Sequence, residues 1–263
     1  KRQLFEYTKK FDKIDLKEIK VSSAEIKEQA AKVSSDFLEA IKVAKQNIEN
    51  FHRACMPKEI KITSDQGVEL GQLIVPYSKI GCYVPSGKAV YPSSVLMLVI
   101  PAQIAGVSDI IIVTPPQQNG KINPYIAACA QLLGITEIYR IGGSQAIAAL
   151  AYGTQSIPKV EKIVGPGNTY VSLAKKYLSD RGVVAIDFFA GPSDVLIIAD
   201  DTTNPDFVAF DLLAQAEHDP DSKSILLTLS EPLAETIKSK VTELVESCLL
   251  YTSDAADEED SVD

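Results

Sequence analysis

Residues Asp109–Thr114, with the sequence DIIIVT, are the most informative stretch of this 263-residue chain about its architecture. Four consecutive branched apolar residues without polar alternation indicate a strand that is buried on both faces, which is typical of parallel sheets covered by helices. Helical patterns at 92–105 and 123–133 lie on either side of it. The stretch therefore predicts one strand of a parallel α/β sheet.

Strand and helix patterns alternate on both sides of this stretch. The predicted strands are 80–84, 109–114, 137–141, 162–164, 183–187, 194–198 and 224–229, and the predicted helices between the first five are 92–105, 123–133, 144–152 and 168–178. Such alternation predicts a doubly wound, mostly parallel, Rossmann-like α/β sheet. A further βαβ unit is expected to begin near residue 200, with a helix that carries Gln215.

The N-terminal part is predicted to be helical. Ser22 and Glu25 have the spacing of a capping box at a helix start, and a second helix begins near Asp36 and ends before Pro57. An apolar stripe is expected along this second helix at Phe37, Ile41, Ala44, Ile48 and Phe51. A hairpin follows, with strands 60–63 and 70–75 joined by the turn 64–67.

The chain is expected to divide into four parts. These are an N-terminal helical segment at 1–57, a Rossmann-like α/β domain at 58–195, an incomplete second α/β domain at 196–247 and a tail at 248–263. The tail and the opening Lys1-Arg2-Gln3 resemble translated sequencing-adapter read-through. We therefore expect both ends to be non-native and the natural product to run past residue 247, the alternative being a disordered acidic tail.

Charge and cysteine content limit the possible functions. The formal net charge is -9, but six acidic residues lie among the last sixteen positions, so the rest of the chain is close to neutral. No basic stripe is present, and nucleic-acid binding is not expected. The four cysteines show no CxxC spacing, which favours a reducing compartment. The longest apolar run, near 95–105, is too short for a membrane span, so we expect a soluble cytoplasmic protein.

Four loops rich in glycine and proline follow predicted strands. They are YVPSG at 83–87, GGSQ at 142–145, GPGN at 165–168 and AGPS at 190–193. In an open α/β sheet, ligands bind beyond the carboxyl ends of the strands, where such loops let the backbone approach a ligand closely. None of them is a GxGxxG motif that opens the first helix, so the loops alone do not establish a dinucleotide site.

Gln215 and His218 lie three residues apart in the stretch LLAQAEHDPDS at 212–222. Helical spacing places both side chains on one face, at a separation that suits two ligands of one metal ion. Imidazole nitrogen is a good zinc ligand, whereas a carboxamide oxygen is an unusual one. The alternative is a helix end with a solvated Gln215 and with His218 capping the last turn.

Five motifs together resemble the histidinol dehydrogenase family. They are GCYVPSGKAVYPSSVLMLVIPAQIAGV, IGGSQAIAALAYGT, KIVGPGN, AIDFFAGPSDVLIIAD and DLLAQAEHDPDSKSILLT. The resemblance runs from about Leu4 to Glu246. It implies a zinc-containing homodimer with Rossmann-like domains that oxidises L-histidinol through L-histidinal to L-histidine in two NAD-dependent steps, the last steps of histidine biosynthesis.

The resemblance also implies roles for particular residues. Tyr83, Gln145 and Asn168 match positions that contact NAD in the family. Ser193 matches a serine that contacts the substrate. Two zinc ligands that also lie against the bound amino alcohol correspond to Gln215 and His218.

Other groups that the family needs have no counterpart in this sequence. The resemblance places two further zinc ligands, an aspartate and a histidine, and a Glu-His general base beyond the last residue of this chain. With His218 assigned to zinc, the remaining histidine is His52, interpreted as a surface residue. We therefore expect the chain alone to be inactive. The alternatives are a related enzyme that acts on another small alcohol and a non-catalytic α/β nucleotide-binding module.

Overall fold

The computed structural model describes residues 2–86, 90–188, 194–217 and 222–245. The chain forms two compact units, Lys1–Ala190 and Gly191–Asp263, called here the N-terminal unit and the C-terminal unit. The helices of the N-terminal unit are α1 (Arg2–Phe11), α2 (Ser23–Ala30), α3 (Ser35–Ala54), α4 (Pro92–Ile104), α5 (Pro124–Leu132), α6 (Gly143–Tyr152) and α7 (Thr169–Ser179). Its strands are β1 (Ile60–Thr63), β2 (Glu69–Gln72), β3 (Lys79–Tyr83), β4 (Asp109–Thr114), β5 (Ile138–Arg140), β6 (Lys162–Val164) and β7 (Ala185–Ile186).

A five-stranded sheet with the order β5-β4-β3-β6-β7 forms the centre of the N-terminal unit. Each neighbouring pair of strands is parallel. Along β4, Ile110 and Ile112 belong to one hydrophobic cluster, whereas Ile111 and Val113 belong to another. Because side chains alternate across a strand, this division shows that both faces of the sheet are buried.

Helices cover the two faces of this sheet. One cluster contains residues of α2 to α5, and the other contains residues of α1, α6 and α7. The predicted doubly wound parallel α/β architecture is therefore confirmed. None of the helices in the described ranges is long and apolar enough to cross a membrane.

The hairpin of β1 and β2 is antiparallel, as predicted. Gly67 adopts a φ of 80° in its turn, where the Ser64 hydroxyl accepts a hydrogen bond from the amide of Val68 at 3.1 Å. Ile62 and Leu70 are cross-strand partners, and each is more than half exposed. One face of the hairpin is thus apolar and open to solvent among the described residues.

The capping box predicted at the start of α2 is confirmed for Ser22 but not for Glu25. The Ser22 hydroxyl accepts a hydrogen bond from the amide of Glu25 at 3.2 Å, as expected for an N-cap. The Glu25 carboxylate instead accepts hydrogen bonds from the Ile122 amide at 3.3 Å and from the Arg140 guanidinium at 2.7 Å. Glu25 therefore joins α2 to the sheet and to the loop before α5.

Replacing the N-cap serine should weaken the fold measurably. We expect Ser22→Ala to lower the free energy of unfolding by about 1 kcal/mol, because the amide of Glu25 loses its acceptor. Urea denaturation followed by circular dichroism measures this change. Ser23→Ala is the matched control, since this exposed neighbour forms the first turn of α2 without capping it. Equal losses in the two variants would contradict the capping role.

The apolar stripe predicted for α3 is shorter than expected. Ile41 is buried, and Phe37, Ala44 and Ile48 pack against the core cluster. The prediction that Phe51 belongs to this apolar stripe is wrong, because the residue is 64% exposed. Its ring lies against the imidazole of His52, with 5.4 Å between the ring centroids. The last turn of α3 thus extends beyond the layer that covers the sheet.

The C-terminal unit contains β8 (Val195–Ala199), α8 (Pro205–Ala216), β9 (Ser224–Thr228) and α9 (Glu231–Val245). The two strands are parallel partners, and residues of both helices share their hydrophobic cluster. This βαβ unit begins at Val195, earlier than the expected residue 200. On the face away from the helices, the alternate residues Leu196, Ile198, Ile225 and Leu227 are exposed.

Candidate functional site

The carboxyl edge of the five-stranded sheet is where the candidate residues of the N-terminal unit lie. After β3 the chain adds β4 and β5 on one side, and it then crosses over to add β6 and β7 on the other side. The strand order therefore reverses between β3 and β6. In open α/β sheets, ligands bind beyond the carboxyl ends of the strands at such a point.

Tyr83 is the last residue of β3 and is 3% exposed. Its hydroxyl accepts a hydrogen bond from the amide of Gly143 at 3.1 Å, which ties the end of β3 to the start of α6. Burial raises the pKa of the Tyr83 phenol, the Gly143 amide opposes this effect, and the nearby charge of Asp12 adds to the increase in pKa. The phenol is therefore neutral near pH 7, so it can both accept and donate a hydrogen bond.

Gln145 lies in the first turn of α6 beside this contact. A Cβ added to Gly143 would lie 2.8 Å from the Oε1 atom of Gln145, so the carboxamide folds back over the glycine. Gly142 is the N-cap of α6 and provides no side-chain hydrogen bond to the helix amides. The helix start that carries Gln145 therefore has no capping side chain from its N-cap residue, and beyond the Gly143 amide, which donates to Tyr83, it is suited to an anionic ligand.

Asn168 is the N-cap of α7, directly after the glycines that follow β6. Its side-chain oxygen accepts a hydrogen bond from the amide of Val171 at 3.1 Å. This contact fixes the carboxamide at the carboxyl edge and leaves its NH₂ group as a donor. The structure thus places Tyr83, Gln145 and Asn168 at one edge, with direct contacts connecting the first two through Gly143.

A buried ion pair holds the loop that leads to Asn168. The Lys175 ammonium donates hydrogen bonds to the carbonyl oxygen of Gly165 at 2.8 Å and to Asp187 Oδ1 at 2.5 Å. Asp187 Oδ2 accepts a hydrogen bond from the amide of Gly165 at 2.7 Å. The side chain of Lys175 is 2% exposed. The pair therefore fixes both backbone polar groups of Gly165.

Lys175 and Asp187 are functional candidates that the sequence analysis did not identify. The sequence does contain a pattern that points to the lysine. Val171, Lys175 and Leu178 follow the helical spacing of one face, and Lys175 is charged whereas the other two are apolar. A lysine on a buried face requires a partner. The sequence did not indicate that this partner is Asp187, at the end of β7.

The thiol next to this edge is not a candidate nucleophile. Cys82 is fully buried in β3, and burial, with a smaller contribution from the charge of Asp187, raises its pKa to about 12. A thiol with this pKa is protonated at neutral pH, and the thiolate is the reactive form. Cys82 therefore acts as a packing residue.

In the C-terminal unit, Gln215 lies in the last turn of α8 and is half-buried. Ser193 and His218, which were assigned to the substrate and to zinc, lie outside the described residues. At the starts of β8 and β9, Asp194 Oδ1 accepts a hydrogen bond from the amide of Lys223 at 2.9 Å. The helix α8 runs back between these two strands in the chain, so its last turn is near the start of β9. Gln215 therefore lies toward the amino edge of β8 and β9, unlike the candidates of the N-terminal unit.

Within the described ranges, no group of three or more His, Cys, Asp or Glu side chains is arranged to hold a metal ion. That search does not cover His218. Gln215 is the described member of the predicted zinc pair. The metal assignment thus stays a prediction.

The doubly wound parallel sheet, with the candidate residues at its carboxyl edge, defines the chain as a Rossmann-like α/β protein. This fold is shared with a salicylaldehyde dehydrogenase from Pseudomonas putida G7, with a TM-score of 0.55 at 14% identity over 92% of this chain and 54% of that one. A likeness at this level concerns the fold alone.

The chain belongs to the histidinol dehydrogenase family, whose family model matches residues 1–257. It is 50% identical to the histidinol dehydrogenase of Listeria innocua over 244 residues, which cover 93% of this chain and 56% of that protein. The Methanocaldococcus jannaschii enzyme is 50% identical over 242 residues, 91% of this chain and 56% of that protein.

A solved relative agrees with these matches. The crystal structure of histidinol dehydrogenase from Elizabethkingia anophelis superimposes with a TM-score of 0.88 at 47% identity, covering 95% of this chain and 58% of that one. The chain thus spans a little over half the length of the relatives it matches. The family predicted from the five motifs is confirmed, and the comparisons favour neither of the alternative functions.

Proposed function

We propose that the protein to which this chain belongs is an NAD-dependent oxidoreductase that converts L-histidinol through L-histidinal to L-histidine, the last steps of histidine biosynthesis. The observation that carries this proposal is the contact of Tyr83 with Gly143, beside Gln145, at the switch point of a sheet from the histidinol dehydrogenase family. Tyr83 and Gln145, two of the three residues assigned to NAD, are both neighbours of Gly143.

The carboxyl edge fits a dinucleotide. The N-cap residue of α6 is a glycine without a capping side chain, so the amides of the first turn that follow Gly143, whose own amide donates to Tyr83, are available to an anionic group such as a pyrophosphate. Gln145 and the NH₂ group of Asn168 supply neutral donors at the same edge. NAD, when bound, would accept the hydride that each oxidation removes from the carbinol carbon. The residues of this chain would bind and orient the cofactor.

We propose Gln215 and His218 as zinc ligands and Ser193 as a substrate contact. This assignment rests on the match of the stretches AIDFFAGPSDVLIIAD and DLLAQAEHDPDSKSILLT to the histidinol dehydrogenase family. A carboxamide and an imidazole are neutral ligands, so zinc, when bound, would keep positive charge to attract the amine and imidazole nitrogens of histidinol.

Each oxidation also needs a base that takes a proton from oxygen. The chain has two histidines, His52 at the end of α3 and His218, which is assigned to the metal. We therefore propose that this chain binds ligands without turnover. We also propose a cytoplasmic enzyme that is a homodimer in its full-length form.

Ligand binding by the purified 263-residue chain tests the function. We expect NAD to bind in calorimetry, and Gln145→Ala to weaken that binding by about tenfold, the effect of losing one well-placed hydrogen-bonding group. Gln131→Ala is the matched control, because this glutamine is exposed on α5, in the layer on the opposite face of the sheet. Histidinol binding should require zinc and should be lost in His218→Ala.

Three results would contradict the proposal. The absence of NAD binding would remove the cofactor assignment, and histidinol binding that is unaffected by His218→Ala would remove the metal assignment. NADH formation from histidinol at the rate of an intact family member would refute the expected lack of turnover.

A further inference from the structure

A cavity of about 810 Å³ lies at the amino edge of the five-stranded sheet, opposite the edge that carries Tyr83, Gln145 and Asn168. Residues at or just before the starts of β3, β4, β6 and β7 line it, together with Ser179 at the end of α7. Its volume lies within the range of small-molecule sites, roughly 300–1,000 Å³. We call this cavity the amino-edge groove.

Part of the groove is apolar and held by the fold. The apolar lining consists of Val160, Val183, Val184 and Ala185. Val183 and Ala185 are half-buried, so some of this apolar surface is open to a ligand. The amide of Val183 donates a hydrogen bond to the carbonyl oxygen of Leu178 at 3.0 Å, which fixes the segment to the end of α7. A ligand can therefore bury a short aliphatic side chain here without ordering a loop.

Glu161 presents a fixed carboxylate to the groove. Its amide donates to the carbonyl oxygen of Lys79 at 3.0 Å, and its carbonyl oxygen accepts a hydrogen bond from the amide of Ala185 at 3.0 Å. Its Oε2 atom accepts a hydrogen bond from the amide of Ser78 at 2.7 Å. Among the described residues no group donates to Oε1, so this oxygen is available to a ligand ammonium.

A cation precedes this carboxylate by two residues. Lys159 also lines the groove, and its ammonium has no hydrogen-bond or salt-bridge partner in the part of the chain that the structure describes. Lys159 and Glu161 are exposed and flank the buried Val160. This alternation is that of an extended segment, in which residues two apart face the same side with Cα atoms roughly 6–7 Å apart. Opposite charges at this spacing suit a ligand that carries both charges itself.

The other charges of the groove balance each other. Lys79 and Asp109 form an ion pair at 3.2 Å. The lining thus contains two lysines and two carboxylates, and this balance favours a zwitterion over a phosphate or another anion. The end of α7 at Ser179 adds the partial negative charge of a helix C-terminus, which attracts an ammonium group.

We propose that the amino-edge groove binds an α-amino acid with a short aliphatic side chain. The ligand ammonium binds Glu161, the ligand carboxylate binds Lys159, and the side chain packs on the valines and Ala185. This site is separate from the proposed cofactor edge, because Lys79 and Tyr83 lie at opposite ends of β3. The inference therefore does not depend on NAD binding.

Saturation-transfer NMR titrations of the 263-residue chain test this proposal, with L-leucine, 4-methylpentanoate and 3-methylbutylamine as probes. The second compound lacks the ammonium group of leucine, and the third lacks its carboxylate. We expect L-leucine to bind at roughly millimolar concentration, as is usual for a ligand of so few atoms. Each analogue should bind about tenfold more weakly, because one charge-assisted contact is lost.

Two variants test the assigned contacts. Glu161→Gln and Lys159→Gln should each weaken L-leucine binding by about tenfold. Both should fold, since glutamine at position 161 keeps an oxygen that can accept from the Ser78 amide, and Lys159 is exposed. Lys176→Gln is the matched control, because this exposed lysine is on α7 and lies outside the lining of the groove. It should leave the affinity for L-leucine unchanged.

The outcomes separate this inference from the proposed function. L-leucine binding that requires both charged groups of the ligand, together with Glu161 and Lys159, would support the amino-acid site. The absence of L-leucine binding, equal binding of the analogues, or equal losses in Lys176→Gln and the groove variants would each overturn it. NAD binding, measured by calorimetry on the same variants, should be unchanged in all of them, so failure of either proposal leaves the other in place.

Discussion

Gly165→Ala is expected to lower the free energy of unfolding of the N-terminal unit by about 3 kcal/mol or more, the range of backbone strain combined with a steric clash. Gly165 has a φ of 116°, which side chains rarely adopt, and an added Cβ would lie 2.2 Å from the carbonyl oxygen of Tyr83. Backbone on both sides of this contact must then move. Urea denaturation measures the loss, and calorimetry with NAD measures the effect on the edge that carries Tyr83.

Gly134→Ala separates the two causes of this loss. Gly134 has a φ of 72°, and an added Cβ would meet no atom within 4 Å. Its substitution should therefore cost only the backbone term, about 1–2 kcal/mol. If Gly134→Ala and Gly165→Ala lost equal stability, the close approach of Gly165 to Tyr83 would carry no cost, and the two strand ends would not be rigidly held.

The sequence predicted the sheet of the N-terminal unit well because its strands are buried on both faces. The bounds of β4 and β6 agree with the predicted 109–114 and 162–164. Continuous apolar runs bounded by polar residues or glycine give strand limits directly. The helices between them begin at proline or next to asparagine and glycine, whose backbone preferences are local and therefore readable from sequence.

The sequence did not predict as well which elements that are distant in the chain pack against each other. The sequence indicated a strand near 183–187 but not that β7 would be the edge strand of the five-stranded sheet, beside β6. Phe51 continues the helical spacing of Ile41 and Ile48, yet it is exposed. Periodicity identifies a face of a helix, but it does not show where the layer beneath that face ends.

The candidate site was likewise predicted only in part, because the sequence indicated the positions of its residues but not the contacts between them. Motifs placed Tyr83, Gln145 and Asn168 directly after strands or in the following helix, and the parallel sheet brings those positions to one edge. The contact of the Tyr83 hydroxyl with the Gly143 amide joins residues sixty positions apart, so no local pattern encodes it. The ion pair of Lys175 with Asp187 likewise depends on where α7 and β7 pack.

Lys175→Met is expected to lower the free energy of unfolding by about 3 kcal/mol, at the low end of the range for breaking a buried ion pair. The loss arises because the partly buried Asp187 carboxylate loses its cation. It retains hydrogen bonds from the amides of Gly165 and Phe188, which limit the cost. The carbonyl oxygen of Gly165 also loses its donor, so NAD binding at the loop that carries Asn168 should weaken as well.

Two comparisons make this expectation specific. Lys176→Met removes the neighbouring lysine, whose partner Asp180 and own side chain are about half exposed, and it should cost no more than about 0.5 kcal/mol. In Lys175→Met combined with Asp187→Leu, the unpaired charge is gone, so the double variant should be more stable than the sum of its single losses predicts. Additive losses in urea denaturation would mean that the two side chains stabilise the fold independently, and Lys175 would then act through its bond to Gly165 alone.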